Sequence, residues 1–129
     1  MDKPVALNLE MIVTIVDRGM GEEVIDHSKK AGANGGTILH GRGTGAHEKA
    51  KFFGLEIDPE KDIVITLVPD SLTAEVMNEI SRGIKIDKPG NGICFAIDIS
   101  KVVGITAINS YRQVVEMDTF LDNDDSPKG

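Results

Sequence analysis

Two glycine-rich segments are the strongest candidates for a binding site in this chain of 129 residues. The first reads Gly41-Arg42-Gly43-Thr44-Gly45, and the second reads Lys88-Pro89-Gly90-Asn91-Gly92. Glycine lets the backbone reach positive φ and approach a ligand closely, and the N–H groups of such turns can bind an anion. The first segment is not a Walker A loop, because no Gly-Lys-Ser/Thr follows it. A plain turn explains either segment alone, so the hypothesis of a binding site rests on the two together.

The longest segment without a secondary-structure pattern runs from Ala46 to Glu60. Loops of this length inside compact domains are usually functional or disordered. Its apolar residues, Phe52, Phe53 and Leu55, predict a tip that binds a partner protein. The alternative is that both phenylalanines pack locally onto the core.

Catalytic and metal-binding groups are sparse. The three histidines have no partner at i+4 and no nearby cysteine, so a zinc site is not predicted. We expect His27 to be solvated and His40 to be a buried, hydrogen-bonded imidazole, whereas His47 follows the first glycine segment and is a candidate ligand contact. The serines lack the context of a nucleophile elbow, and the single cysteine, Cys94, lies in an apolar run that predicts a buried structural thiol. The sequence therefore predicts no catalytic residue and no metal site.

The charge of the chain argues against nucleic acid as a partner. The net charge is −7 and the pI is about 4.9, whereas a nucleic-acid-binding protein needs a basic face. No stretch of about 20 apolar residues predicts a membrane span, and the N-terminus lacks the pattern of a signal peptide. A single cysteine fits a reducing compartment. We expect a cytoplasmic protein that does not insert into membranes.

Apolar periodicity predicts the elements that position these segments. Four β-branched runs predict strands at residues 7–16, 37–40, 62–68 and 93–99. Helical periodicity predicts helices at 21–33 and 72–80. Gly32 would end the first helix, and either Asp70 or Ser71 would be the N-cap of the second. The order β-α-β occurs twice, which predicts an α+β, ferredoxin-like βαββαβ sandwich with an antiparallel sheet and both helices on one face.

The strands are apolar on both faces, which predicts an oligomer. In the first strand Ile12 and Val16 alternate with Val13 and Ile15. Because two helices cover only one face of the sheet, the other face is expected to meet other subunits. A C-terminal segment that covers the sheet is the alternative.

These features together resemble the PII nitrogen-regulatory family and its PII-like relatives. The resemblance covers Leu7 to Ile105 and rests on element order, spacing and loop positions. The stretch from Gly35 to Gly45 resembles the family's second strand running into its signalling T-loop. The second glycine segment, Pro89-Gly90-Asn91-Gly92, resembles its B-loop.

The resemblance implies a signalling protein that is not an enzyme. Residues 1–108 would form the PII-like domain, with the T-loop at about 43–60, and residues 109–129 a C-terminal segment with an acidic tail. The chain would form a homotrimer whose clefts bind an adenine nucleotide (ATP, ADP, AMP or a cyclic nucleotide) as effector. The T-loop, through Phe52, Phe53 and Leu55, would bind or release a target protein such as a membrane transporter. By position the ligand contacts would be Thr37, Gly43, Thr44, Gly45, His47, Lys88, Gly90, Asn91 and Gly92.

The chain departs from the family at positions that carry charge. The lysine that follows the family's B-loop glycines is Ile93 here, and the arginines after its fourth strand are replaced by Val102-Val103-Gly104-Ile105. Each lost charge-assisted phosphate contact is worth roughly 1.5–3 kcal/mol, or about one to two decades of affinity. A less charged ligand such as AMP or a cyclic nucleotide is therefore expected, unless another cation compensates. The candidates are Arg42, Lys88, Lys101 and Arg112.

Two other interpretations stay open. A metal-binding, ion-tolerance-type trimer of the same fold would become ordered with metal and without nucleotide. A small phosphatase-type enzyme would need a catalytic Arg42 or His47 at a phosphate loop. Regulation by uridylylation is not expected in any case, because Phe52-Phe53 replaces the modifiable tyrosine of the family's T-loop.

Overall fold

A computed structural model of the chain describes residues 4–6, 8–44, 50–53, 55–57, 59–104 and 114–116. In chain order the elements are β1 (Pro4–Ala6), β2 (Leu9–Asp17), α1 (Gly21–Lys30), β3 (Thr37–Arg42), β4 (Ala50–Phe52), β5 (Leu55–Ile57), β6 (Glu60–Pro69), α2 (Thr73–Ile84), β7 (Ile93–Ile99), β8 (Val102–Val103) and β9 (Val114–Glu116). One turn of 3-10 helix, Asp70–Leu72, leads into α2.

Four of the strands form one antiparallel sheet in the order β3-β6-β2-β7. The central strand β2 pairs with β6 along its whole length, Leu9–Asp17. Its other side pairs with β7, so that β3 and β7 are the two edge strands. This antiparallel sheet with two helices confirms the predicted ferredoxin-like fold.

Both helices pack on the same face of the sheet. One fully buried cluster joins the two layers, and its members include Ile12, Val64, Val24, Val76 and Ile80. The strand residues of this cluster stand at even-numbered positions, as alternation along a strand requires. Full burial of each such side chain is worth roughly 1.5–3 kcal/mol, so this layer holds helices and sheet together.

The opposite face of the sheet, which carries the odd-numbered residues of its four strands and is called the open face below, is also apolar. The register aligns Leu39, Ile63, Ile15 and Ile93 in one row across the sheet. Leu39 and Ile93, on the two edge strands, are 47 % and 55 % exposed. Within the described ranges neither helix packs on this face. The prediction of a sheet that is apolar on both sides is confirmed.

The segment 46–60 contains a hairpin that the sequence analysis did not predict. Its strands β4 and β5 pair so that Phe52 lies opposite Leu55. Phe53 occupies the turn between them with a φ of 51°. Strands of three residues are too short for alternation to stand out in a sequence. The expectation of a segment without strands was therefore wrong.

Other boundaries differ from the sequence predictions in smaller ways. The N-cap of α2 is Leu72, without a side-chain hydrogen bond, so neither Asp70 nor Ser71 is the N-cap. The strands β8, β1 and β9 form a separate small sheet that no periodicity had predicted. Helix α1 ends at Lys30, three residues before the predicted residue 33, but Gly32 follows the C-cap Ala31 with a φ of 110°, as predicted for the glycine that ends this helix.

The contact between the two helices depends on a histidine that packs over a glycine. The His27 ring lies so close to Gly83 that a Cβ atom at position 83 would be 2.3 Å from its Cδ2 atom. Its Nδ1 atom is 3.2 Å from Glu79 Oε2. This hydrogen bond, aided by Arg82 and opposed by burial, holds the pKa of the Glu79 carboxyl below its usual value. The His27 side chain is only 23 % exposed, so the prediction that it is solvated was wrong.

Gly83→Ala should lower the free energy of unfolding by about 1–2 kcal/mol, because the new methyl group displaces the His27 ring. Within a helix, alanine is more favourable than glycine by up to about 1 kcal/mol. The effect of Gly83→Ala on the free energy of unfolding should therefore change sign when the His27 ring is absent. In a His27→Ala background, Gly83→Ala is therefore expected to stabilise. Urea unfolding of the four proteins measures both differences. A stabilising Gly83→Ala in the wild-type background would contradict this packing.

Candidate functional site at the two glycine segments

The first glycine segment follows edge strand β3, where the chain leaves the sheet toward the β4–β5 hairpin. The Gly43 N–H donates to the Pro59 carbonyl at 3.2 Å, so the two legs stay paired up to this point. Thr37 begins the same strand, and six residues of strand place it about 20 Å from Gly43. Both stand at odd-numbered positions, which belong to the open face. The ligand contacts predicted for Thr37 and Gly43 stay predictions.

A buried lysine beside Gly43 was missed by the sequence analysis. Lys61 is 7 % exposed, and its Nζ atom lies 2.8 Å from Asp17 Oδ1. A Cβ atom at position 43 would be 3.8 Å from Lys61 Cγ. The alkyl chain of Lys61 therefore lies beside Gly43, while its ammonium group is paired with Asp17 on the neighbouring strand β2. The available signal was the pair Lys61-Asp62 inside an apolar strand, where alternation sends the two side chains to opposite faces.

Asp62 lies on the helix side of the sheet and caps α1 from a neighbouring strand. Its Oδ2 atom accepts hydrogen bonds from the backbone N–H groups of Gly19 and Gly21, both at 3.0 Å. The local N-cap residue is Met20, which makes no side-chain capping bond, so the carboxylate supplies the missing acceptor. A Cβ atom on Gly21 would lie 2.9 Å from Asp62 Oδ2, so this approach requires glycine.

His40 completes the contacts of Asp62. Its Nδ1 atom is 2.9 Å from Asp62 Oδ1, and the two residues are paired across β3 and β6. Burial acts to raise the pKa of the Asp62 carboxyl, but the hydrogen bonds from the two backbone N–H groups and from His40 outweigh it and hold the pKa below its usual value of 3.8. The hydrogen bond predicted for His40 is confirmed. Its predicted burial is wrong, because 67 % of the side chain is exposed.

The second glycine segment connects α2 to edge strand β7 and contains two glycines with positive φ. The φ angles are 85° at Gly90 and 152° at Gly92, values that favour glycine. At Gly92 a Cβ atom would lie 2.8 Å from the Ile15 carbonyl oxygen, so a side chain there would clash with the backbone. At Gly90 a Cβ atom would meet nothing within 4 Å. Only Gly90 therefore borders open space.

Asn91, between these glycines, stabilises the end of α2. Its Nδ2 atom donates to the carbonyls of Ile84 and Lys85 at 2.9 and 3.1 Å. These carbonyls belong to the last turn of the helix and lack partners within it. The Asn91 N–H donates to the Lys88 carbonyl at 3.1 Å, which closes the turn. The ligand contacts predicted for Lys88 and Asn91 stay predictions.

The two glycine segments lie at the same end of the sheet but at opposite edges. At this end β3 stops at Arg42, opposite Glu60, and β7 starts at Ile93, opposite Ile15. Three strand spacings, or about 14 Å, separate the edge strands β3 and β7. The segments therefore flank this end of the sheet and do not face each other within one chain.

The predicted partner-binding tip lies at the turn of the β4–β5 hairpin. Phe53 is 92 % exposed and has positive φ, which is uncommon for a residue with a side chain. Phe52 and Leu55 form the cross-strand pair next to it. Of the predicted ligand contacts, Gly45 and His47 lie outside the described residues, as does most of the C-terminal segment.

Two kinds of site are absent from the described part of the chain. Within these ranges no three His, Cys, Asp or Glu side chains are grouped so that they could hold a metal ion. No helix among the same residues has the length and apolar character needed to cross a membrane. Cys94 packs against the core, where burial raises the pKa of its thiol against the opposing effect of the Thr14 hydroxyl, as suits a structural residue.

Comparison with models of known protein families shows to which family the chain belongs. The profile of the family described as Nitrogen regulatory protein P-II matches residues 9–108. This chain belongs to the PII family. The match includes both glycine segments, both helices and the four-stranded sheet, and so confirms the resemblance inferred from loop positions.

Two solved structures share the fold of this PII-family chain. PII from Arabidopsis thaliana, bound to citrate, has a TM-score of 0.59 and 21 % identity, over 78 % of this chain and 83 % of that chain. CPII, a PII-like protein from Thiomonas intermedia K12 bound to ADP, AMP and bicarbonate, has a TM-score of 0.56 and 21 % identity, over 79 % of this chain and 96 % of that chain. A search of curated proteins found no match.

Asp62→Asn should lower the free energy of unfolding at neutral pH by about 1–2 kcal/mol, since hydrogen bonds to a charged acceptor are the stronger ones. The folded-state pKa of Asp62 is depressed, so its contribution is present above the usual value of 3.8 and is lost as the pH falls through the folded-state pKa. The difference in the free energy of unfolding between wild type and Asp62→Asn should therefore become smaller below about pH 4.

Urea unfolding between about pH 7 and about pH 3 measures this dependence. Asp98→Asn is the matched control, because Asp98 is exposed and should show little difference at any pH. If the difference in the free energy of unfolding between wild type and Asp62→Asn is the same at every pH, the capping role is contradicted.

Proposed function

We propose that this PII-family chain forms a homotrimer that binds an adenine nucleotide as effector in clefts between its subunits. The T-loop, at residues 43–60, passes the bound state to a target protein, for which a membrane transporter is the leading class. The protein is a cytoplasmic regulator and does not catalyse a reaction. The observation that carries the proposal is the position of the two glycine segments, which flank one end of the sheet at opposite edges.

A ring of identical subunits would bring these segments together. In a heterologous interface the two contacting surfaces of each subunit differ, and the repeated contact closes into a ring. When the β3 edge of one subunit lies next to the β7 edge of its neighbour, Gly43 of the first comes near Gly90 of the second. Each of the three interfaces then contains one cleft.

The open face supports the same arrangement. Leu39, Ile93, Phe95 and Ile97 are between 38 % and 55 % exposed in the single chain. A contiguous apolar surface of this kind is rare on a soluble monomer and typical of a subunit interface. Packing of three such sheets against one another would remove this surface from water and would fix the edges of neighbouring chains side by side.

The polar groups near the clefts favour an effector with few charges. The alkyl chain of Lys61 lies beside Gly43 with its ammonium group paired to Asp17, and Gly90 borders open space in which a phosphate can approach the backbone. Ile93 adds no charge next to the second segment. AMP or a cyclic nucleotide is therefore the preferred ligand over ATP. The citrate, ADP, AMP and bicarbonate bound in the two similar structures support a small anionic effector.

The path from effector to target is short. The hydrogen bond from the Gly43 N–H to the Pro59 carbonyl pairs the two legs of the T-loop at its base, so a ligand that contacts Gly43 acts at this pairing. The hairpin beyond them carries the exposed Phe53 at its turn. An exposed aromatic side chain is a common anchor in protein–protein interfaces. Effector binding would thus select T-loop conformations that present or withdraw this anchor.

Phe95→Asp should convert the trimer into monomers, because a charge without a partner in an apolar interface is strongly unfavourable. Phe53→Asp is the matched control, since the same change at the exposed hairpin tip should leave the trimer intact. Multi-angle light scattering at micromolar concentration measures the molar mass of each protein. A monomeric wild type, or a Phe95→Asp protein that remains trimeric, would contradict the proposed interface.

Thermal stability against a panel of AMP, cyclic AMP, ADP, ATP and divalent metals tests the effector. A ligand at about 100 times its dissociation constant should add about 2.7 kcal/mol of stability. Ile93→Lys should raise the affinity for ATP by about one to two decades, because it adds a charge-assisted phosphate contact.

Ser100→Lys provides the control for the affinity measurement. It adds the same charge at the far end of β7, at an exposed residue outside the open face, and should not raise the affinity for ATP. A shift with metal and none with any nucleotide would instead favour the ion-binding trimer.

A further inference from the structure

We propose that the Nε2 atom of His40 is a phosphoryl-acceptor site, with the imidazole oriented by the buried carboxylate of Asp62. The His40 side chain is 67 % exposed and that of Asp62 is 5 % exposed. The Nδ1 atom of His40 lies 2.9 Å from Asp62 Oδ1. The contact therefore occupies one ring nitrogen and leaves the other on the opposite side of an exposed ring.

The carboxylate cannot easily turn away from the ring. Its second oxygen accepts the backbone N–H groups of Gly19 and Gly21, which belong to the start of α1. An ionised carboxylate only accepts hydrogen bonds, so Nδ1 must carry the proton of a neutral imidazole. The lone pair is then on Nε2, which is the arrangement of a nucleophilic or ligating histidine held by an acidic partner.

This arrangement suits transfer of a phosphoryl group from a donor with a labile P–N bond, such as a phosphoramidate or a phosphohistidine of a partner protein. The Nε2 lone pair forms the new N–P bond, and the P–N bond of the donor breaks with its electron pair going to the leaving nitrogen. The Nδ1 proton stays in place, so the phosphorylated ring carries a positive charge. The carboxylate of Asp62 stabilises this charge, as the acidic residue of a catalytic triad stabilises an imidazolium.

The surroundings of His40 are compatible with an incoming dianion. Arg42 stands two residues further along β3, on the same face of the strand. Glu60, opposite Arg42 in the register, forms an ion pair with Arg18, so its negative charge is compensated. His40 lies on the helix side of an edge strand, away from the open face, and is exposed in the single chain.

His27 provides a comparison within the same molecule. Its Nδ1 atom also faces a carboxylate, at 3.2 Å from Glu79. However, the His27 side chain is only 23 % exposed, and its ring packs on Gly83. Phosphoryl transfer that requires both an acidic partner for the imidazole and access of the donor to the ring should therefore occur at His40 and not at His27.

The test uses phosphoramidate as donor on the full-length protein, followed by intact mass spectrometry and mapping of the modified peptide at neutral pH. We expect an acid-labile gain of about 80 Da, located at His40, and formed at least about tenfold faster than on N-acetylhistidine amide. His40→Gln should abolish this fast phase, and His27→Gln should leave it unchanged. Asp62→Asn should slow labelling of His40 by about tenfold or more while labelling of His27 does not slow.

Three results would overturn the proposal. The first is a rate at His40 equal to that of the model compound, which would show an ordinary exposed histidine. The second is a fast phase located on another residue. The third is an unchanged rate at His40 in Asp62→Asn, which would remove the role of the carboxylate. If Asp62→Asn is too unstable to use, the ratio of wild-type His40 to the model compound decides alone.

Discussion

A sheet that is apolar on both faces determines how the rest of the molecule is arranged. In the central strand Ile12 joins the core under the two helices, while Val13 and Ile15 belong to the open face. Removal of each such side chain from water is worth roughly 1.5–3 kcal/mol, so an uncovered apolar layer is unfavourable. The helices cover one side, and the subunits of the proposed trimer would cover the residues that remain exposed on the other. The same packing would place unlike edges of neighbouring sheets together, and with them the two glycine segments.

Alternation at the start of β6 divides two adjacent charges between the two faces. Asp62 turns toward the helix layer, where it caps α1 and contacts His40. Lys61 turns toward the open face, where its ammonium group pairs with Asp17 and its alkyl chain lies beside Gly43. One strand end therefore anchors a helix on one side and holds an ion pair on the other. A shift of register by one residue would exchange these roles and destroy both.

The sequence predicted what depends on local patterns and missed what depends on distant partners. Long apolar strands could be recognised because periodicity is visible among neighbouring residues. The turn at positions 90 and 92 could be recognised because positive φ favours glycine there. The capping of α1 could not, since Asp62 lies 41 residues from Gly21 in the chain. The three-residue strands of the hairpin were too short to show alternation. The proposed ligand contacts depend on a neighbouring chain, which no pattern within one sequence describes.

Mixing of two inactive variants tests most directly whether the effector site is shared between subunits. Gly43→Val should block the first glycine segment and Gly90→Val the second, so neither homotrimer should bind nucleotide. After dissociation and reassembly of an equal mixture, about one quarter of the clefts should combine two intact segments from different chains and bind again. Calorimetric titration of the mixture measures the number of sites. Recovery of about this fraction is the result we predict, and no recovery from an intact mixed trimer would contradict a site shared between subunits.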